Sequence, residues 1–239
     1  MSIAKKLTTI AENVPKVYEA GKNTGKATEN RAWWDALTSS TSTGVFEYRF
    51  KYVDFDKIGG FNPPYVLKPI HAGYMFRGST ITKLTENEVD FSTCASAAYL
   101  VADCKQLTEV TGIDLRESYT VNYAFNNIPN IHTLDVILGE HIGSAAQYVF
   151  WQMPKLENLT IGGTITFSGA TFQHSKLLTA KSIESAVSAL SDGATGNKIT
   201  FSTAAKTTYY NAHSGEYANA DEAWNALCDT KPNWTIALA

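Results

Sequence analysis

A four-position apolar ladder with steps of three recurs through the middle of the chain, and no other feature restricts the fold as strongly. Met75, Gly78, Ile81, Leu84 is followed by Val101, Cys104, Leu107, Val110, then Phe125, Ile128, Ile131, Leu134, then Phe150, Met153, Leu156, Leu159. Thr171, His174, Leu177, Ala180 reads as a fifth, worn copy. The copies start at residues 75, 101, 125, 150 and 171, intervals of 26, 24, 25 and 21, the period of a leucine-rich or related solenoid. One such unit cannot bury its own apolar side, so neighbouring coils must stack and share a continuous core. The segments Leu134-Asp135-Val136 and Leu159-Thr160-Ile161 alternate with period two. They predict short parallel strands with one set of side chains inward and the other outward.

The flanks predict a different organisation. Ile3, Leu7, Ile10, Val14 and Val17 follow steps of 4, 3, 4 and 3, the seam of an amphipathic helix that either self-associates or docks on its own domain. Pro15 interrupts its backbone ladder. A polar connection at 22–26 and a second short helix around Glu29 to Leu37 follow. Phe46, Tyr48, Phe50 and Tyr52 alternate with Glu47, Arg49 and Lys51, which predicts a strand with one aromatic face that starts the core. At the other end Ser182 to Leu190 reads as a helix, Lys198 to Phe201 as a strand, Ala220 to Cys228 as a helix and Trp234 to Leu238 as a strand. The expected fold is therefore a β-rich α/β solenoid of leucine-rich-repeat-like parallel coils, with an N-terminal helix and an α/β C-terminal cap. Its parts are an anchoring or oligomerisation helix (1–22), a helix and strand cap (23–70), five coils (71–181) and the C-terminal cap (182–239).

Composition narrows the function. Hydrophobic residues make up 44% of the 239 positions, so a chain of this length needs neither staple nor metal to fold. With 20 Lys and Arg against 23 Asp and Glu, the net charge is −3, which argues against nucleic acid or an anionic membrane as partner. No run approaches the roughly 18 apolar residues of a bilayer span, and residues 1–13 contain no apolar core of a signal peptide. Membrane insertion and secretion are not expected.

The sequence offers little catalytic chemistry. Cys94, Cys104 and Cys228 lack CxxC spacing and read as free thiols of a reducing compartment. Cys104 occupies an inward ladder position, where a thiol is a small inert hydrophobe. His71, His132, His141, His174 and His213 are scattered without a metal-binding spacing, Asp54 and Asp56 lack the rest of a calcium loop, and no glycine-rich phosphate loop opens a helix. No cofactor, metal or catalytic residue is expected.

The outward positions of the strand segments supply the candidate binding face. Beside Thr82 and Lys83 they are Thr108, Glu109 and Thr111, then His132, Thr133 and Asp135, then Glu157, Asn158 and Thr160. Rows of hydroxyl, amide and carboxylate groups suit hydrogen bonding to a glycan or a protein, and an ordinary solvated sheet face has the same composition. Glu109, Asp135 and Glu157 fall one per coil, so a glycan-cleaving enzyme would have to draw its paired carboxylates from them.

The ladders Val101-x-x-Cys104-x-x-Leu107-x-x-Val110 and Phe125-x-x-Ile128-x-x-Ile131-x-x-Leu134 resemble the bacterial surface-protein (BspA-like) leucine-rich repeats. The opening at 3–21, the stretch 89–92, the segment 190–196 and the terminal 231–236 are similar to phage and prophage proteins of Firmicutes that carry such repeats. Most repeat cysteines are absent here, one departure from that pattern. The resemblance implies a non-enzymatic virion protein, tail-associated or decorating, made in the bacterial cytoplasm. Its N-terminal helix would assemble with other virion proteins as a homo-oligomer, and its solenoid would meet a host-surface glycan or protein. A purely structural baseplate or decoration subunit and a bacterial adhesin are the alternatives, the last disfavoured by the missing signal peptide.

Overall fold

A computed structural model describes residues 44–144 and 146–239. The seam residues Ile3, Leu7, Ile10, Val14 and Val17, the polar connection and the short helix at 29–37 lie outside the described residues.

The described chain is a β-solenoid of about five turns, built on parallel sheets. The strands β1 (Lys83–Thr85), β2 (Glu109–Leu115), β3 (Thr133–Leu138) and β4 (Asn158–Gly163) form one sheet in sequence order. All its pairs are parallel, with Leu84, Val110, Leu134 and Leu159 in register. A second parallel sheet joins β5 (Thr171–Phe172), β6 (Asn197–Phe201) and β7 (Trp234–Leu238). Between strands the chain turns on itself through a segment that repeats in every coil, and its alternate N–H groups reach the next coil. Tyr48 N donates to Gly73 O at 3.0 Å, Tyr74 N to Ala98 O and Tyr99 N to Asn122 O both at 2.8 Å, and Tyr123 N to Gln147 O at 3.0 Å.

Burial follows the repeat in the central coils. Val101, Cys104, Leu107 and Val110 are fully buried, as are Phe125, Ile128 and Ile131, with Leu134 nearly so; the Phe150 coil matches them. Phe50 and Phe76 stack at 5.3 Å, Phe125 and Phe150 at 5.8 Å, Phe150 and Phe172 at 4.9 Å, and Phe172 and Phe201 at 5.5 Å. Val101 takes the place between Phe76 and Phe125. Each ring removed from water contributes about 1.5–3 kcal/mol, and stacking along the axis couples neighbouring coils.

The outer copies of the ladder depart from the sequence pattern, the first at one position and the last throughout. In the first, Met75, Ile81 and Leu84 are buried as the pattern predicts, together with Phe76 and Ser79, whereas Gly78 is only partly buried and sits at φ 67. The Ser79 hydroxyl lies 3.8 Å from the Cys104 sulfur, which fixes the alignment. In the last, Phe172, Ser175 and Leu178 are buried, while Leu177 is 52% exposed and Thr171 and His174 are partly exposed. Step-of-three counting tolerates a one-residue slip where small or polar residues blur the inward positions, and both ends contain them.

The aromatic segment after Gly44 is not a strand. Residues 47–52 are turns, with Tyr48 at φ 59 and Tyr52 at φ 60. Arg49 N returns to Phe46 O and Val53 N to Phe50 O, so each tyrosine sits third in a four-residue turn, the place where a type II turn requires positive φ. Two successive turns also alternate side chains in and out. Phe46 and Phe50 are therefore buried and Tyr48 and Tyr52 exposed. This segment is itself a coil, joined to the next by bridges between Val45 and His71 and between Leu67 and Val89.

Each end of the core is closed differently. At the N-terminal end a short 3-10 helix, Phe55–Ile58, and Phe61 fold over the axis, so that Phe61 meets Phe50 at 5.4 Å, Phe55 at 5.3 Å and Phe76 at 4.8 Å. At the other end helix α1 (Ala180–Ser188) lies along β4. The Ser182 hydroxyl accepts from Leu159 N at 2.9 Å and donates to Glu157 O at 2.7 Å, and the Ser185 hydroxyl accepts from Ile161 N at 2.8 Å. Two serines thus satisfy an edge that would otherwise offer free backbone groups. Thr179 caps α1 by accepting from Ser182 N, so the helix begins before the sequence pattern suggests.

Helix α2 (Ala204–Ala212) has no counterpart in the sequence reading, since its Ala-Ala-Lys-Thr-Thr-Tyr-Tyr-Asn-Ala run has weak periodicity. Helix α3 (Ala220–Asp229), capped by Asn219, places Trp224 edge-on to Phe201 at 6.0 Å and so ends the phenylalanine column. No helix of the described residues is long and apolar enough to cross a membrane.

Candidate functional site

The sheet face assembles from positions the sequence singles out. Backbone bonds stack Thr82, Thr108, His132, Glu157 and Thr179 in one row, through Thr108 N to Thr82 O, His132 N to Thr108 O, Glu157 N to His132 O and Thr179 N to Glu157 O, all at 2.9–3.1 Å. Strand pairing stacks Lys83, Glu109, Thr133 and Asn158 in a second row. Asp135 pairs with Thr160 in a third. Thr111 leaves that row, because Thr111 and Gly112 together oppose the single residue Asp135 in a bulge. Gly112 holds φ 67 there, as the extra residue of such a bulge commonly does. The face is open: Thr108, His132, Asn158 and Thr160 are exposed, and Glu109, Thr111, Thr133, Asp135 and Glu157 partly so.

Part of the charge on this face is paired within it. Lys83 Nζ lies 2.8 Å from Glu109, and His132 Nδ1 lies 3.5 Å from Glu157. Glu109, Asp135 and Glu157 thus fall in three different rows, two of them beside a basic group. Near the end of β2 the Asp114 carboxyl is held below its ordinary range by the Arg116 guanidinium, which donates to both of its oxygens. Beside the edge strand β1 a shallow cavity of about 220 Å³ is lined by Phe55, Asp56, Phe61, Thr80, Lys83 and Glu88. Gln106 Nε2 donates to Asp56 at 2.9 Å across its rim.

A second ordered surface occupies the turn side, and the sequence reading did not anticipate it. Tyr48, Tyr74, Tyr99, Tyr123 and Tyr148 form one stack, with centroid separations of 4.8, 4.5, 4.7 and 5.2 Å. All five sit at positive φ, between 50° and 59°. Arg77 lies over Tyr74 and Tyr99 and pairs with Asp103 at 3.0 Å, and Asp103 also accepts from Asn127 at 2.8 Å. Lys51 sits 4.9–5.4 Å from the rings of Tyr48, Tyr52 and Tyr74. The signal was present: these tyrosines recur two residues before the inward Phe50, Phe76, Val101, Phe125 and Phe150. An inward ladder, however, directs attention away from the turn.

Two of the three thiols are buried. Cys104 is fully buried and donates to Phe76 O at 3.0 Å, and burial pushes its pKa up to about 12. Cys94 is likewise buried and raised by burial. Among the described residues no three His, Cys, Asp or Glu side chains are grouped to hold a metal ion.

No protein-family model, no curated protein and no solved structure matches this chain.

Proposed function

We propose that this chain is a non-enzymatic structural and display protein of a phage particle, in which the solenoid holds the sheet face toward a host-surface glycan or protein. One observation carries the binding role: two in-register rows of polar side chains, with the Asp135–Thr160 pair beside them, run across the coils and are open to solvent, with Thr108, His132, Asn158 and Thr160 exposed. A rigid stack fixes their spacing before a ligand arrives, which lowers the ordering cost of binding. The engagement of Glu109 by Lys83 and of Glu157 by His132 supports recognition over hydrolysis. The particle assignment rests on the resemblance of the repeats and termini to phage proteins. In it the seam of Ile3, Leu7, Ile10, Val14 and Val17 joins copies of the chain to one another and to other virion proteins.

Cryo-electron microscopy of particles from a producing lysogen tests this reading. Copies joined through their N-terminal segments with the sheet face in solvent are the expected result. A sheet face buried against other virion proteins would make the chain a purely structural subunit. Absence from particles would overturn the virion assignment. Retention of the purified chain on host cells, lost in a Thr108→Ala, His132→Ala, Asn158→Ala variant of unchanged Tm, tests the face itself.

A further inference from the structure

We propose that the tyrosine column is a second ligand surface, built for an extended glycan that carries anionic groups and lies along the solenoid axis. This inference concerns the turns of the coils, outside the strands of the sheet face, and does not require membership of a particle.

Stacking alone does not account for tyrosine. The interior column stacks phenylalanines at similar distances, so a ring without a hydroxyl is sufficient for cohesion. Tyrosine adds an O–H, and among the described residues none of the hydroxyls of Tyr48, Tyr74, Tyr99, Tyr123 and Tyr148 has a hydrogen-bond partner. Tyr48 is 48% and Tyr148 41% exposed, and the three between are partly exposed. Because each inner ring is covered on both faces by its neighbours, a ligand meets ring edges. Aromatic edges are the positive part of the ring quadrupole, and here they are combined with hydroxyl donors. The surface therefore attracts oxygen-rich and anionic groups.

The flanking cations agree with that sign. Lys51 and Arg77 occupy the same position in adjacent coils, each three residues after its tyrosine, and both sit against the ring stack. Arg77 is paired with Asp103. The Lys51 ammonium has aromatic neighbours and no carboxylate among the described residues. In the later coils the same position holds Ala102, Asn126 and Trp151, so the cations mark the N-terminal end of the column. The rings advance by 4.5–5.2 Å per coil, and successive sugars of an extended polysaccharide advance by a distance of the same order. Adjacent sugars can then address adjacent tyrosines, with a carboxylate or phosphate substituent at Lys51.

Isothermal titration of the full chain with polygalacturonate, phosphorylated dextran and unmodified dextran tests the proposal, with tyrosine fluorescence as a second readout. The expected result is binding of one or both anionic polymers, weakened by salt, and no comparable binding of unmodified dextran; the preferred polymer distinguishes carboxylate from phosphate. Tyr74→Phe, Tyr99→Phe, Tyr123→Phe keeps the stack and should keep Tm. It should weaken binding by at least about tenfold through lost hydrogen bonds, and Lys51→Gln should reduce both affinity and salt dependence. Failure of both anionic polymers to bind, equal binding of unmodified dextran, or unchanged affinity in both variants would overturn the inference. Loss of binding in the Thr108, His132, Asn158 variant but not in the tyrosine variant would place the ligand on the sheet face, sinking this proposal while leaving the other intact.

Discussion

Tyr74 and Tyr99 lie in adjacent coils with their ring centroids 4.5 Å apart and their planes within 10° of parallel, and both hold the backbone at positive φ. A left-handed conformation costs a side chain about 1–2 kcal/mol. A stacked aromatic pair returns about 0.5–1.5 kcal/mol beyond its burial. Tyr99 takes part in two such stacks, with Tyr74 and with Tyr123 at 4.7 Å, so the column offsets the strain of the turns that create it. Tyr99 is also partly withdrawn from water, which raises its phenol above the ordinary value, with the neighbouring tyrosines adding to the shift.

Tyr99→Ala keeps the strained backbone and loses both stacks, and should destabilise the fold by about 2–3 kcal/mol. Tyr99→Gly loses the same contacts but relieves the strain and should be less damaging by about 1 kcal/mol. Tyr99→Phe should remain within about 0.5 kcal/mol of wild type. Urea unfolding of the three variants measures the order. A glycine variant less stable than the alanine variant would remove strain from the account.

Gly139 lies where a Cβ would run into the Arg116 backbone carbonyl of the preceding coil. Backbone cannot swing aside as a side chain can, so Gly139→Ala should cost more than about 3 kcal/mol, the upper range for overpacking. At Gly112 the added Cβ would meet the Glu86 side chain, which can move, leaving mainly the cost of φ 67, about 1 kcal/mol. Thermal melts of the two variants should therefore separate clearly.

Cys104 supplies a pH dependence. Its thiol has an ordinary pKa near 9 and is pushed up to about 12 in the folded chain. Below the unfolded value both states keep the proton and the stabilisation is complete. Between the two values only the unfolded chain ionises, so stability falls as pH rises, by up to about 1.4 kcal/mol per pH unit. Cys104→Ala should flatten the stability curve in that alkaline window. Under native conditions iodoacetamide should modify the half-buried Cys228 before Cys94 or Cys104, and mass spectrometry of the modified peptides reads the order.

Asp114 gives the opposite sign. The Arg116 hydrogen bonds lower its pKa, so its contribution is present above the unfolded value and lost as pH falls below it. Arg116→Ala should move the Asp114 carboxyl resonance back toward the ordinary range in an NMR titration. The effect on stability should be small, since the Arg116 side chain is 61% exposed and screened by solvent.

The amino-acid order determined the solenoid, because a repeated inward ladder can be buried only by stacking coils. Positions such as Leu134 and Leu159, flanked by alternating residues, had one way to face the core, and the polar rows of Thr108, His132 and Glu157 followed from it. The final strand Trp234–Leu238 was legible from a run of strand-favouring residues after the Pro232-Asn233 break. Phase and backbone conformation were decided only in three dimensions. Phe46 to Tyr52 alternates with period two whether it forms a strand or two consecutive turns, and hydrogen bonds to the next coil select the turns. Whether Thr171 or Phe172 faces inward depends on stacking against Phe150. The tyrosine column exists only because coils separated by 24 to 26 residues in sequence lie one strand spacing apart in space, a proximity no local pattern contains.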